Sequence, residues 1–277
     1  MKNIVILYHA DCPDGFGAAW AAWKKFGKKA EYIAVFHQQP IPKGLKNKEI
    51  YLVDFCYPIS EMKTLKKEAA SVTVIDHHIT ANSAIKIADN YLYKNSNSGS
   101  VLSWKYFHPK KSVPKLLLHI EDIDLWRFKL PFTREIIEAL ESFDFDFRIW
   151  DKIAADINNS KKFKKYVMDG KIILRYQKEI LNYLLRQADK VKFNGYEVLA
   201  VNSPVFNSEL GHLLSKKKSS FGVVWYRNNH SNIFSLRSDG KVDVSKIAKK
   251  YGGGGHKSAA GFSLDIKKGL PWKYIKN

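Results

Sequence analysis

The sequence predicts an α/β protein with two α/β domains, an N-terminal domain on a parallel sheet and a smaller C-terminal domain, joined by a long helix. Strand-like and helix-like segments alternate over residues 3–90, the middle of the chain is helical, and strand-like segments return after residue 195. A chain of 277 residues can bury two separate cores. We place the N-terminal domain at 1–158, the connecting helix at 159–190 and the C-terminal domain at 191–277.

Four short apolar segments predict the strands of the first domain, at residues 4–8, 32–36, 50–53 and 72–75. Three of them are apolar throughout, the fourth contains Thr73 as its one polar residue, and helix-like stretches alternate with them. Continuous apolar strands indicate a parallel sheet covered on both faces, in which ligands bind at the carboxyl ends of the strands.

The rest of the chain predicts a helical connection and a second α/β unit. Ile173, Tyr176, Ile180 and Leu184 recur at helical spacing, so we expect them to form the apolar face of a helix over residues 160–190. Strand-like segments follow at 196–201, 221–226 and 232–236, then a short helix near Val244 and four glycines at 252–255.

The composition favours a polyanionic partner. Lys and Arg outnumber Asp and Glu by 46 to 27, a formal charge of +19, which suits nucleic acid or phosphorylated metabolites. No apolar stretch reaches the roughly 18 residues of a membrane span and no signal peptide is recognisable, so we expect no membrane partner and a cytoplasmic location. Cys12 and Cys56 are too few for a disulfide framework, and we expect both to pack as small apolar residues.

Acidic and histidine residues follow three of the predicted strands, at the point where each strand ends. They are His9, Asp11 and Asp14 after the first strand, Asp54 after the third, and Asp76, His77 and His78 after the fourth. Because parallel strands end at one edge of a sheet, these side chains should converge. Clustered carboxylates repel one another unless cations lie between them, and a mixed O/N ligand set suits Mn²⁺ or Mg²⁺. Two such ions would activate water and hold a phosphoryl group.

Four motifs, HADCPDG, VDF, DHH and GGGGHKSAAGF, occur in this order between residues 9 and 262. With them the sequence resembles the DHH phosphoesterase superfamily with a C-terminal DHHA1 domain. That superfamily includes single-strand exonucleases, nucleases of short oligoribonucleotides that also dephosphorylate 3′-phosphoadenosine 5′-phosphate, and cyclic dinucleotide phosphodiesterases. The resemblance implies a phosphoester hydrolase that uses two divalent metal ions, Mn²⁺ in preference to Mg²⁺, and acts on a short nucleic acid or a nucleotide. The oligomeric state stays open, with a homodimer as one alternative.

The resemblance also implies a role for each residue of the cluster. His9, Asp11 and Asp54 would hold one metal ion. Asp14, Asp54, His77 and an Asp of a further motif would hold the second ion, so that Asp54 bridges the two. His78 would face the scissile phosphate as the catalytic donor or acid, and Asp76 would orient a histidine ligand.

Two features of the motifs leave alternatives open. The usual first motif of the family is His-x-Asp-x-Asp-Gly, and Pro13 adds one residue to it here, so either Asp11 or Asp14 could serve either ion. The further motif, EDIDLWRF, offers Asp122 and Asp124. We prefer Asp122, because the family places this ligand early in the motif with an aromatic residue after it, as Trp126 is here.

The C-terminal motif predicts the substrate-binding residues Gly253, Gly254, Gly255, His256 and, from the preceding strand, Arg237. The glycines would form a turn whose backbone N–H groups approach an anion, with His256 at the start of a following helix. The resemblance gives His256 a substrate phosphate as its partner, and Arg237 would add a bidentate phosphate contact.

Three alternatives to a nuclease or nucleotide phosphatase remain. A cyclic dinucleotide phosphodiesterase fits the same motifs. An inorganic pyrophosphatase fits less well, because relatives of that type carry a different C-terminal domain without GGGGH. A non-catalytic nucleic-acid-binding protein would use the charge of +19, but the candidate ligands present at every motif argue against it.

Overall fold

A computed structural model describes residues 2–36, 39–78, 81–217 and 220–275. The chain divides into two compact units, one ending at Leu174 and the other beginning at Arg175. Within the described residues, no helix is both long enough and apolar enough to span a bilayer.

The N-terminal unit is built on a parallel sheet of five strands in the order β2-β1-β3-β4-β5. The strands are β1 (Ile4–His9), β2 (Ala30–Val35), β3 (Glu49–Val53), β4 (Ser71–Asp76) and β5 (Asn90–Tyr93). The four predicted strands and the parallel sheet are confirmed. The edge strand β5 was not predicted, because its apolar run is only three residues long and lies between Asn90 and Lys94.

Helices cover both faces of this sheet. They are α1 (Pro13–Phe26), α2 (Ile59–Glu68), α3 (Gly99–Phe107), α4 (Lys115–Asp124), α5 (Thr133–Glu141) and α6 (Phe147–Asp156). Successive strand residues point to opposite faces, so Ile6 packs in the core under α1 and α3 whereas Val5 and Leu7 pack in the core under α2. Burial on both faces explains why the centres of β1, β3 and β4 are almost continuously apolar.

Helix α7 (Ser160–Arg186) continues across the boundary between the units, and its 27 residues confirm the predicted long helix. The predicted apolar face was partly wrong, because Tyr176 is 68% exposed. Leu184 of the predicted face does pack against a small core of the C-terminal unit, together with Leu181 and Leu185, which were not predicted. The helix ends before the predicted residue 190, since a strand begins at Asp189.

The C-terminal unit contains a seven-stranded sheet in the order β10-β11-β9-β8-β7-β6-β12. Strands β7 and β8 pair in parallel, and the other neighbours pair antiparallel. The elements are β6 (Asp189–Phe193), β7 (Tyr196–Asn202), α8 (Asn207–Lys216), β8 (Gly222–Arg227), β9 (Ser231–Arg237), α9 (Val244–Lys250), β10 (Gly254–His256), β11 (Ala259–Asp265) and β12 (Trp272–Tyr274). The expected helix start at His256 is wrong, because this residue ends β10 in a hairpin with β11.

Candidate active site

The carboxyl edge of the first sheet brings together side chains from three strands and two helices. His9 is the last residue of β1, Asp54 directly follows β3, and His77 directly follows β4. Asp14 lies in the first turn of α1, and Asp124 is the last residue of α4. The structure therefore brings together His9, Asp14, Asp54 and His77 of the residues expected to converge, and adds Asp124.

Asp54 is the centre of this cluster and is 1% exposed. Its Oδ2 lies 3.5 Å from Nδ1 of His9, and its Oδ1 lies 3.2 Å from Nε2 of His77. The same Nε2 atom is 3.7 Å from Oδ2 of Asp14 and 3.7 Å from Oδ2 of Asp124. One imidazole nitrogen thus faces three carboxylates.

The donor set fits divalent metal ions. Within the described residues, three groups have ligand atoms that all lie within 4.8 Å of one another: His9 with Cys12 and Asp54, Asp14 with His77 and Asp124, and Asp54 with Asp76, His77 and His78. Asp54 Oδ1 and His9 Nδ1 are buried and make no hydrogen bond of good geometry in that part of the chain. Buried polar atoms are normally satisfied, so these two atoms point to a missing partner such as a cation.

Two residues, one in the first motif and one in the second, have left-handed backbone conformations. Asp11 has φ 50° and Asp54 has φ 63°. Aspartate tolerates this region better than most residues, but the conformation still carries strain of the kind found at functional sites. At Asp54 it turns the chain immediately after β3.

Two glycines allow the close packing that holds the cluster together. A Cβ on Gly15 would collide with the backbone carbonyl of His9, and a Cβ on Gly99 would collide with the Asp54 carboxylate. Gly99 and Ser100 also donate backbone hydrogen bonds to Asp14, at 2.6 Å and 3.0 Å, so the start of α3 fixes that carboxylate.

The electrostatics are those of a carboxylate cluster with too few cations. Burial raises the pKa of Asp14, and the charges of Asp54 and Asp124 raise it further. Burial opposes ionisation of Asp54, but interactions with His77 and His9 outweigh it and lower its pKa to about 2. Burial likewise opposes protonation of His77, yet the carboxylates around it raise its pKa to about 9. The raised pKa of His77 reflects the same excess of negative charge that a divalent metal ion would neutralise.

Asp76 positions the second histidine of the DHH motif. Its Oδ1 accepts a hydrogen bond from Nδ1 of His78 at 2.7 Å and from the backbone N–H groups of His77 and His78 at 2.7 and 3.1 Å. The hydrogen bond between the His78 ring and the Asp76 carboxylate raises the pKa of His78, whose side chain is 45% exposed. Asp76 was expected to orient a histidine ligand, but the ring it holds is that of His78. The Nε2 atom of His78 is the ring nitrogen left for another partner.

Asp122 and Asp124 have different surroundings. The Asp122 carboxylate is 4% exposed and accepts hydrogen bonds from the backbone N–H groups of Lys129 and Leu130, at 2.8 and 3.1 Å, and from the Thr133 hydroxyl at 2.6 Å. Asp124 faces His77 instead. The geometry corrects our preference for Asp122: its oxygens are engaged with a loop, whereas Asp124 lies in the cluster.

The remaining residues of the first motif are less closely grouped. The Asp11 side chain is exposed and belongs to none of the three ligand groups found among the described residues. Cys12 Sγ lies 4.0 Å from Asp54 Oδ2, and burial, followed by the Asp54 charge, raises the pKa of its thiol. Apolar packing is the ordinary expectation for a free cysteine, and this proximity depends on the start of α1 lying beside the end of β3.

In the C-terminal unit, His256 and Arg237, two of the predicted substrate-binding residues, lie on β10 and β9, the strands on either side of β11. Ala259 of β11 is paired with His256 on one side and with Arg237 on the other. Residues directly opposite in a sheet share a face, so His256 and Arg237 flank a small residue, about 10 Å apart across two strand spacings. His256 is exposed, and Arg237 is held by a 2.9 Å hydrogen bond from its Nη2 to Ser208 Oγ.

The glycines next to His256 permit a tight backbone arrangement. Gly252 has φ 79° and Gly255 has φ 132°, values that side-chain-bearing residues rarely adopt. A Cβ on Gly253 would collide with Gly261 and Phe262. Gly254 pairs with Gly261 as β10 begins. The anion-binding turn expected from the motif is thus a compact turn that leads into a strand.

Known proteins resemble both units of the chain. Residues 196–270 match the DHHA1 domain. An uncharacterized protein of Acanthamoeba polyphaga mimivirus is 32% identical, over 98% of this chain and 70% of the viral protein. Oligoribonuclease NrnB of Bacillus subtilis (strain 168) is 23% identical, over 93% of this chain and 72% of NrnB.

Solved structures share the fold at low sequence identity. The DHH domain of a member of the s1p family of ribosomal proteins has a TM-score of 0.61 at 16% identity, over 99% of this chain and 83% of that one. The pGpG-specific phosphodiesterase PggH from Vibrio cholerae has a TM-score of 0.54 at 14% identity, over 96% of this chain and 95% of PggH. Exonuclease RecJ bound to manganese has a TM-score of 0.52 at 15% identity, over 95% of this chain and 86% of the RecJ chain.

The two sheets, the ordered motifs and these relatives define the class of protein. The chain belongs to the DHH superfamily of phosphoesterases, hydrolases that act on phosphoester bonds, and it carries a C-terminal DHHA1 domain.

Proposed function

We propose that this chain hydrolyses the phosphoester bonds of short oligonucleotides, or of a nucleotide such as 3′-phosphoadenosine 5′-phosphate, with two divalent metal ions. The observation that carries the proposal is the buried Asp54 carboxylate, whose two oxygens face His9 and His77 on opposite sides. The relatives support the substrate class, since NrnB is described as an oligoribonuclease and PggH as a pGpG-specific phosphodiesterase.

The residues divide into two ligand sets around the shared carboxylate. His9 and Asp54 would hold one ion, with Asp11 as the third ligand implied by the family. Asp14, Asp54, His77 and Asp124 would hold the other. Divalent ions bound there would lower the pKa of water and withdraw charge from the phosphoryl oxygens. Mn²⁺ is the proposed metal, with Mg²⁺ as the alternative, because the set mixes imidazole with carboxylate.

His78 is the proposed catalytic residue among the protein groups. Asp76 fixes its ring through Nδ1 and favours its protonated form, so Nε2 can donate a proton or a hydrogen bond. Such a donor at the substrate phosphate would stabilise the charge that develops there and protonate the leaving oxygen. Asp76 therefore acts as a positioning residue.

The C-terminal unit supplies the proposed substrate-binding residues. Arg237 and His256 lie on one face of the second sheet, and Gly253, Gly254 and Gly255 directly precede His256 in the chain. We propose that these two side chains and the backbone N–H groups of the three glycines bind a phosphate or base of the substrate away from the scissile bond. In domain terms, we assign residues 1–158 to the catalytic domain, helix α7 (Ser160–Arg186) to the connection, and the chain from Asp189 onward to the substrate-binding domain.

The test is a turnover assay of the full chain with Mn²⁺ or Mg²⁺ against di- to pentanucleotides, 3′-phosphoadenosine 5′-phosphate, cyclic dinucleotides and pyrophosphate. We expect metal-dependent release of nucleotide or phosphate from one of the first two substrate types, and loss of that turnover in Asp54→Asn. The variant should fold, because Asn preserves the shape of Asp54 and reduces the negative charge of the cluster.

Circular dichroism and metal titration of Asp54→Asn separate loss of the metals from loss of the fold. Undiminished turnover after chelation would contradict the proposal. So would RNA binding with a steep salt dependence but no turnover of any substrate, which is the behaviour of a non-catalytic nucleic-acid-binding protein.

A further inference from the structure

The loop between α4 and α5, residues 125–132, presents an aromatic ring to solvent next to the candidate metal ligands. Trp126 is 75% exposed, the highest value among the exposed large apolar residues described. It lies two residues after Asp124, so their Cα atoms are at most about 7 Å apart. An exposed tryptophan at this position has no role in the core of the N-terminal unit.

The backbone of this loop is strained at the same place. Trp126 has φ 53° and Phe128 has φ 49°, a left-handed conformation that bulky residues rarely adopt. Strain of this kind persists only where the surrounding structure enforces it, and such residues concentrate at functional sites. Glycine would satisfy the backbone at lower cost, so the indole ring requires another explanation.

The surroundings of the loop do enforce its conformation. The Asp122 backbone carbonyl accepts hydrogen bonds from the N–H groups of Arg127 and Phe128 at 2.8 and 3.3 Å, while its carboxylate binds the end of the loop. Arg127 forms a 2.9 Å ion pair with Glu121 and donates to the Ser96 carbonyl. Trp126 is thereby held on a fixed backbone.

The ring itself is supported from one side. Its centroid lies 4.9 Å from that of Phe128 in an edge-to-face arrangement, and the Arg134 guanidinium lies 4.4 Å from the Phe128 centroid. An exposed indole on a fixed backbone, two residues along the chain from the proposed metal ligand Asp124, matches a ligand that combines a flat apolar ring with a phosphate. A nucleotide has that combination, whereas pyrophosphate and simple phosphate esters do not.

We propose that Trp126 stacks on a nucleobase adjacent to the scissile phosphate, so that the N-terminal unit selects nucleotide substrates over small phosphoesters. This inference rests on the proposed function and specifies the substrate class of the same site. Stacking needs no hydrogen bonds to the base edge, so the selection should be tolerant of base identity.

The test compares a dinucleotide with the same molecule lacking both bases. Trp126→Gly should lower kcat/KM for the dinucleotide by about 5- to 150-fold, the range that a lost stacking contact gives. It should lower kcat/KM for the abasic substrate by less than about 3-fold, and Trp126→Phe should retain most of the dinucleotide activity. Glycine suits the left-handed backbone, so Trp126→Gly should unfold at the same or a higher denaturant concentration than the wild type.

Tyr176→Ala is the matched control, since Tyr176 is 68% exposed and belongs to neither the metal cluster nor the loop. It should leave both substrates unaffected. A second readout needs no turnover: 2-aminopurine in a non-hydrolysable dinucleotide should lose fluorescence on binding the wild type and Trp126→Phe, and keep it with Trp126→Gly.

Equal losses of kcat/KM for both substrates, no loss at all, or quenching that persists in Trp126→Gly would overturn the stacking proposal. If Trp126 instead binds another protein, Trp126→Gly should cause no loss of kcat/KM for either substrate. Failure of the proposed function is a different outcome, in which the wild type turns over neither substrate. Even then the fluorescence measurement decides whether Trp126 stacks on a base.

Discussion

Neighbouring residues of the same type have different surroundings in this site. His77 is nearly enclosed by Asp14, Asp54 and Asp124, whereas His78 is partly exposed and bound to Asp76. Asp122 and Asp124 differ in the same way, one facing a loop and the other facing the cluster. Each pair therefore supplies a comparison in which the chemical change is identical and only the environment differs.

The two histidines should separate metal binding from catalysis. His77→Ala removes the imidazole that faces three carboxylates, so calorimetric titration should show weaker binding of Mn²⁺. His78→Ala should lower kcat and leave the affinity for Mn²⁺ near the wild-type value, because its ring is held by Asp76 rather than by the cluster. Equal losses of metal affinity in both variants would refute this division.

The two aspartates should separate metal binding from stability. Asp124→Asn should weaken metal binding and turnover with little effect on unfolding. Asp122→Asn should lower the free energy of unfolding by about 1–3 kcal/mol, because charged hydrogen bonds to the 125–132 loop are lost or weakened. Urea denaturation and metal titration of both variants measure the two effects, and the reverse pattern would restore Asp122 as the ligand.

At the scale of elements, the sequence predicted the parts whose chemistry is local. The apolar strands β1 to β4 could be predicted because burial on both faces demands continuous apolar sequence. Strand β10 could not, since Gly254 and Gly255 have no strand preference and their conformation comes from pairing with β11. The predicted apolar face of α7 was wrong at Tyr176, because helical spacing shows which residues share one side of a helix but not which part of the protein packs against that side.

The site shows the same limit. The end of each strand located His9, Asp54 and His77, but the choice between Asp122 and Asp124 depended on where the loop folds back. The hydrogen bonds from Gly99 and Ser100 to Asp14 join residues 85 and 86 positions apart, and no local pattern in the sequence encodes them.

The junction of α6 and α7 provides a prediction about stability and pH. Asp156 ends α6 and accepts hydrogen bonds from Lys152 of the same helix and from Lys162 and Tyr166 of α7. The bonds from Lys152 and Lys162 lower the pKa of Asp156 to about 2. Because the pKa of Asp156 is lower in the folded state than in the unfolded state, where it is about 4, ionised Asp156 stabilises the folded state at pH values above about 4. This contribution is lost as the pH falls toward 2.

Asp156→Asn should therefore unfold at a lower urea concentration than the wild type at pH 7, and the difference should shrink below about pH 4. The effect should be modest, because both lysines are largely exposed. The exposed Asp144 provides the control, and Asp144→Asn should show little difference at either pH. A gap between Asp156→Asn and wild type that is constant from pH 7 to pH 3 would contradict the assignment.

At the scale of the whole molecule, the candidate residues divide between two units with separate cores. The proposed metal ligands all belong to the N-terminal unit, and Arg237 and His256 belong to the C-terminal unit. Arg237 and His256 can therefore be substituted without altering a proposed metal ligand.

Arg237→Ala and His256→Ala should each lower kcat/KM for nucleotide substrates by about 10- to 100-fold, which corresponds to the loss of a charged hydrogen bond worth about 1.5–3 kcal/mol. Hydrolysis of a small nitrophenyl phosphoester should change much less, and the number of bound metal ions should stay the same. Loss of bound metal, or equal losses on both substrates, would place these residues in the catalytic centre instead.

The position of the ligands along the chain has a consequence for synthesis on the ribosome. Every proposed metal ligand precedes residue 125, yet the core beneath the sheet also includes Tyr166 and Val167 from the first turns of α7. Domains fold as units during translation. The nascent chain would therefore contain every metal ligand well before Tyr166 and Val167 are available to complete the hydrophobic core that holds those ligands in place. The N-terminal unit should acquire its ions once the start of α7 has left the exit tunnel, while the DHHA1 domain is still being translated.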